Sequence, residues 1–142
     1  MSLTPGKPIF PAKRSLRVLV AEDNVINQKL AISALTSLGH TGVVVNDGEK
    51  ALRCLAQLPF DLVLMDVMMP NMDGMAALSA IREREAQGQA HMPVIMATSH
   101  DLPGDRERFI LFGADGYVAK PVHVDDLGSE IKRLIKFRRN SD

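Results

Sequence analysis

Residues 61–66 read DLVLMD. Four consecutive apolar side chains, Leu62, Val63, Leu64 and Met65, stand between two aspartates. A short unbroken apolar run suits a strand buried on both faces, as inside a parallel sheet. A strand wet on one face would alternate apolar and polar residues instead. Asp66 then falls where the strand leaves the core. A doubly buried strand with a carboxylate at its exit organises the reading of the whole chain.

The same pattern recurs on either side. Residues 16–21 (LRVLVA), 41–45 (TGVVV), 93–97 (PVIMA) and 116–119 (GYVA) are short apolar runs, and the first two are rich in Val. Helical spacing fills the intervals. Residues 24–38 carry Ile26, Leu30, Ile32, Ala34, Leu35 and Leu38, with Asn24 as N-cap and Gly39 as stop. Residues 47–58 form a second helix that ends before Pro59. A loop with Pro70 and Gly74 leads to a helix near 75–84, and 88–91 is loop. Residues 103–112 are a fourth helix stopped by Gly113, and 124–137 a fifth begun by Asp125 and Asp126. Five strands alternating with five helices imply an α/β fold, a parallel sheet covered on both faces. There are too few units for an eight-stranded barrel. Residues 1–15 contain Pro5, Gly6, Pro8 and Pro11 and read as a flexible extension or linker.

Length and charge narrow the function. A chain of 142 residues fits one domain with a sizeable core. Lys plus Arg equal Asp plus Glu at 17 each, so nothing draws the domain to nucleic acid or an anionic membrane. The lone Cys54 excludes a disulfide framework, and no apolar run is long enough to cross a bilayer. With no secretory leader, a cytoplasmic location is expected. The four histidines fall in or beside loops without zinc spacing, and no nucleotide-binding glycine loop is present.

In open parallel sheets the functional site lies outside the carboxyl ends of the strands. Glu22 and Asp23 follow the first strand, Asp66 the third, Thr98 the fourth and Lys120 the fifth. Clustered carboxylates repel by roughly 4 kcal/mol per pair at about 4 Å and an effective dielectric near 20. A hard divalent cation removes that cost, and all-oxygen ligands select Mg²⁺. An aspartate can also act as nucleophile towards phosphorus. Lys120, Thr98 and the cation would then stabilise the phosphoryl oxygens. Each residue alone has a plainer reading: a cap, a loop hydroxyl or a solvated charge. Their joint placement at strand ends is what points to phosphoryl transfer.

The segments VLVAEDN (18–24), DLVLMDVMMPNMDG (61–74), VIMATS (94–99) and GADGYVAKP (113–121) resemble the receiver domain of two-component response regulators. The resemblance spans about residues 16–138, leaving 139–142 as a tail, and is nearest to receivers of hybrid sensor histidine kinases. It implies a flavodoxin-like doubly wound sheet of order 2-1-3-4-5. It implies Asp66 as phosphoacceptor from a histidine kinase or histidine phosphotransfer domain. Mg²⁺ (or Mn²⁺) would be held by Asp23, Asp66, the backbone carbonyl of Met68 and, directly or through water, Glu22. Thr98 and Lys120 would contact the phosphoryl group, and Tyr117 would reorient with Thr98. The Lys120–Pro121 bond would be cis. Such a domain catalyses its own phosphorylation and dephosphorylation, lacks a kinase domain, and acts as monomer or weak dimer. It would signal through the face of helix 4, strand 5 and helix 5, without nucleic-acid or membrane contact. An excised part of a hybrid kinase, itself membrane-bound, is the favoured context. A pseudo-receiver would lack Asp66 or Lys120, and an aspartyl-phosphate phosphatase would carry an acid where Met68 stands.

Glu22 and Met68 depart from the commonest pattern, which has Asp and a polar residue there. Met68 cannot orient an attacking water, so the aspartyl phosphate is expected not to be short-lived for the family. Met68→Asn should therefore speed phosphate loss, followed by mass spectrometry after donor removal; an unchanged or slower loss refutes the idea.

Overall fold

The computed structural model describes residues 15–99 and 102–141. Apart from Ser15, the expected N-terminal extension lies outside the described residues. The elements alternate throughout: β1 (Arg17–Ala21), α1 (Val25–Ser37), β2 (Thr41–Val45), α2 (Gly48–Gln57), β3 (Leu62–Asp66), α3 (Gly74–Ala86), β4 (Val94–Thr98), α4 (Asp105–Phe112), β5 (Gly116–Ala119) and α5 (Val124–Ser141). All strand pairs are parallel, in the order β2-β1-β3-β4-β5. This is the doubly wound sheet expected from the sequence.

Local chemistry sets the element ends. The Asn24 side chain accepts from the Asn27 amide at the start of α1. Asp47 and Asp73 cap α2 and α3 in the same way. Each cap satisfies one of the orphan amides of a helix start. Gly39 and Gly113 take positive φ beyond α1 and α4, a conformation that costs glycine least. α5 continues to Ser141, four residues past the expected end at Phe137. Residues 132–141 contain no Gly or Pro that would stop it.

The strands divide the core in two. Val18, Val20, Leu62, Leu64, Ile95 and Val118 face α1 and α5, where Leu35 and Leu127 are fully buried. Leu19, Val63, Met65, Val94 and Met96 point the other way, against Ala77, Leu78 and Phe109 of α3 and α4. Alternation of period two sends neighbours to opposite faces. Both faces are apolar, so the strands read as continuous hydrophobic runs. Burying each large side chain contributes about 1.5–3 kcal/mol. Cys54 is half-buried at the edge of the second layer.

His40 has a role that its loop position concealed. Its ring is buried, and Nδ1 accepts the Leu16 amide at 3.0 Å where β1 begins. Burial lowers its pKa from the ordinary value near 6.5, against the opposing charge of Asp61. The unfolded chain therefore binds the proton more readily than the folded one. Stability is complete above about pH 6.5 and is lost as pH falls from there towards the depressed folded value. Urea midpoints measured across that window should decline for the wild type more steeply than for His40→Gln; parallel profiles would refute this.

Candidate functional site

The strand order decides which carboxylates meet. β1 and β3 are neighbours, with Ala21 paired to Met65. The next residues, Glu22 and Asp66, therefore emerge side by side at the carboxyl end of the sheet. The direction of the chain reverses here, since β2 lies on one side of β1 and β3 on the other. Such switch points are where doubly wound folds bind ligands. Asp66 is only 2% exposed and Glu22 only 5%, while Asp23 is open to solvent. One oxygen from each of the three carboxylates lies within 4.8 Å of the others.

Lys120 closes the other side. Its Nζ donates to Asp66 Oδ1 at 2.9 Å and to Glu22 Oε1 at 3.2 Å. Burial pulls the ammonium pKa down, but the bonds and charges of Asp66 and Glu22 outweigh it and the net direction is up. Glu22 moves up as well, chiefly through burial and secondarily through the charge of Asp66, opposed by the Asn24 amide and Lys120. One ammonium thus faces two buried carboxylates. Among the described residues Asp66 Oδ2 has no hydrogen-bond partner. A buried polar oxygen without a partner costs roughly 1–3 kcal/mol or more when charged. That orphan oxygen, on one of three converging carboxylates, fits a hard cation, with oxygen donors of the kind Mg²⁺ prefers.

The surrounding backbone is braced. Gln28 on α1 donates its side-chain amide to the Glu22 carbonyl at 2.6 Å, and the Asn24 amide donates to Glu22 Oε2 at 3.0 Å. The β3–α3 loop carries Met68, whose amide faces Asp66 Oδ1 at 3.4 Å. Its far end is tied to α2: the Gly48 amide donates to the Met72 carbonyl, and Asn71 donates to Glu49 at 2.9 Å. Asn71 adopts a φ of 66°, which Asn tolerates better than most residues. The Gly74 amide returns to the Val67 carbonyl at 2.9 Å. No Cβ could stand at Gly74, where it would lie 2.0 Å from the Asp66 carbonyl oxygen.

Glu22, Asp23, Asp66 and Lys120 thus meet as the sequence reading expected. Thr98 ends the adjacent strand, buried, and its carbonyl accepts the Lys120 amide at 2.7 Å. The Lys120–Pro121 bond is cis. The Met68 side chain is exposed, which leaves its main chain as the part near the acids. Tyr117 stands apart, half-buried on β5 with its ring 5.5 Å from Phe109 of α4. Gln28 escaped notice because a helical Gln carries no signal until the fold sets it against Glu22.

A doubly wound sheet with an acidic pocket and a lysine at its switch point defines a class of proteins, and the comparisons name the family. The model of the response regulator receiver domain matches residues 18–132. The chain is 37% identical over 145 residues to hybrid signal transduction histidine kinase I of Dictyostelium discoideum, covering 96% of this chain and 8% of that protein. It is 38% identical over 127 residues to the sensor protein GacS of Pseudomonas syringae pv. syringae, covering 89% and 14%. Among solved structures it resembles the receiver domain of sensor histidine kinase PA1611 of Pseudomonas aeruginosa, described with magnesium coordinated in its active-site cleft. That match has 33% identity and a TM-score of 0.68, covering 87% of this chain and 96% of the other. The Francisella response regulator 1452 receiver domain matches with 28% identity and a TM-score of 0.74, covering 87% and 99%. The chain belongs to the response regulator receiver family of two-component signalling. The first relatives are hybrid sensor kinases of which it spans only a small fraction.

Gly74→Ala should push the new methyl into the Asp66 main chain and cost about 1–3 kcal/mol, as overpacking commonly does. Chemical denaturation measures this, and an unchanged midpoint would show that the loop yields freely.

Proposed function

We propose that Asp66 accepts a phosphoryl group from a phosphohistidine and holds it as an aspartyl phosphate. The observation that supports this most is Asp66 Oδ2, buried and without a partner among the described residues, beside an oxygen already held by Lys120. Asp66 attacks the phosphorus, the P–N bond breaks, and the imidazole nitrogen leaves with the electron pair. Lys120 stays with the growing charge, and the Thr98 hydroxyl donates to a phosphoryl oxygen. Held by Asp23, Asp66, the Met68 carbonyl and Glu22, Mg²⁺ (or Mn²⁺) supplies neutralisation of the phosphoryl oxygens when bound.

The phosphoryl group adds about −1.5 to −2 charge. Thr98 moves towards it, Tyr117 packs into the space released, and the α4–β5–α5 face changes for a downstream protein. The donor is a histidine kinase or histidine phosphotransfer domain. The likeness to hybrid kinases supports a place within such a cytoplasmic relay. Among the described residues no helix is long and apolar enough to cross a membrane. The pairing of Lys120 with Asp66 speaks against a pseudo-receiver, and Met68 against a phosphatase.

Incubation with acetyl phosphate and Mg²⁺ should add the mass of one phosphoryl group to the wild type. The gain should vanish in Asp66→Asn and on chelation of the metal. No gain from acetyl phosphate or from a phosphorylated histidine donor would leave only the pseudo-receiver reading.

A further inference from the structure

α4 is lightly anchored. It has eight residues, its N-cap Gly104 offers no side-chain bond, and its buried residues are Asp105 and Phe109. Ile110, Leu111 and Phe112 are exposed to 41%, 87% and 50%. On the side towards the β3–α3 loop, a cleft of about 380 Å³ separates it from Val67, Met68 and Met75. A helix held by so little and flanked by open space can shift.

Among the described residues a polar contact with α5 ties it down on the opposite side. Arg106 of α4 pairs with Glu130 of α5 at 2.5 Å. Glu130 is 8% exposed and also takes Arg133 at 2.9 Å and the Tyr117 amide at 3.4 Å. β5 makes room for this carboxylate with Gly116, where a Cβ would lie 2.5 Å from Glu130 Oε1. Burial pushes Glu130 up, but Arg133 and Arg106 prevail and hold it below the ordinary carboxylate range, so it stays charged. The Arg106 guanidinium also lies 5.9 Å from the centre of the Tyr117 ring, within cation–π reach. Arg106 therefore touches both parts that the proposed switch moves.

We propose that the Arg106–Glu130 pair is a latch that holds α4 and Tyr117 in the arrangement belonging to the free Asp66 carboxylate. This rests on the acceptor and switch reading above. The direct Lys120–Asp66 bond identifies the arrangement, since a phosphoryl oxygen would take over that ammonium. Inward packing of Tyr117 withdraws the ring from Arg106, and a shift of α4 lengthens the pair with Glu130. Both contacts oppose phosphorylation, and by linkage phosphorylation weakens both. A downstream partner that offers Arg106 its own carboxylate would release the latch from outside.

Beryllium fluoride with Mg²⁺ is the probe, with ¹⁹F NMR for occupancy and tyrosine emission for conformation. Tyr117 is the only tyrosine and there is no tryptophan, so emission reports that one ring. Arg106→Gln and Glu130→Gln should each tighten the beryllium fluoride midpoint by about fivefold, at the low end of typical coupling. Mg²⁺ affinity alone should not change, and the double variant should add nothing further. Arg106→Lys, which keeps the charge, should fall between Arg106→Gln and wild type. A purely structural role would lower the urea midpoint and leave the probe midpoint in place, which overturns the latch. If Glu130→Gln fails to fold, Arg106→Gln decides alone. Wild type that binds the probe without an emission change removes the switch and the latch together. Wild type that binds no probe removes the acceptor reading and the latch with it.

Discussion

Asp66 is a carboxylate that the fold removes from water. β3 carries it out of the sheet between β1 and β4, and only 2% of it stays exposed. A buried charge is tolerated only when paired, since isolated transfer costs several kcal/mol even after relaxation. Lys120 pairs with one oxygen and Glu22 competes for the same ammonium. With Asp23 beside them, three carboxylates share one ammonium; the cluster is left two positive charges short, and the orphan oxygen of Asp66 marks the deficit. The chemistry proposed for this site follows from that imbalance, because a divalent cation resolves it and would also offset the negative charge that a phosphoryl group adds.

The rest of the structure keeps the imbalance in place. Gln28, Asn24, Gly74 and the Asn71–Glu49 contact hold the main chain on either side of the acids. None of them carries charge to the cleft itself, yet each limits how far the carboxylates can retreat from one another. Rigid scaffolds of this kind let loops hold strained chemistry without local collapse.

The opposite quality governs α4. Its helix is short, thinly packed and bordered by open space, so a few polar contacts weigh heavily on where it sits. Glu130 collects Arg106, Arg133 and the start of β5 at one buried point. A stiff acidic pocket and a loosely held helix on one sheet are the two halves that a switch requires. Tyr117 lies between them, packed on Phe109 and reached by Arg106.

Much of this was legible in the residues. Unbroken runs such as LVLM at 62–65 can only be buried on both faces, and alternation with amphipathic segments leaves few topologies. Glu22, Asp23, Asp66, Thr98 and Lys120 announced the site because strand ends are short-range features, readable from period and polarity. His40, Gln28, Gly74 and Glu130 were not legible. Their partners lie 24, 6, 8 and 24 positions away in chain number, at Leu16, Glu22, Asp66 and Arg106. No local pattern encodes such pairings; they exist only once the strands take their order. The sequence by itself determined the elements, the two-faced core and the acidic residues at the strand exits, because these depend on hydrophobic period alone. The tertiary structure alone decided that Asp66 would lose a partner and α4 would hang on Glu130, because burial and charge pairing depend on which distant residues are brought together.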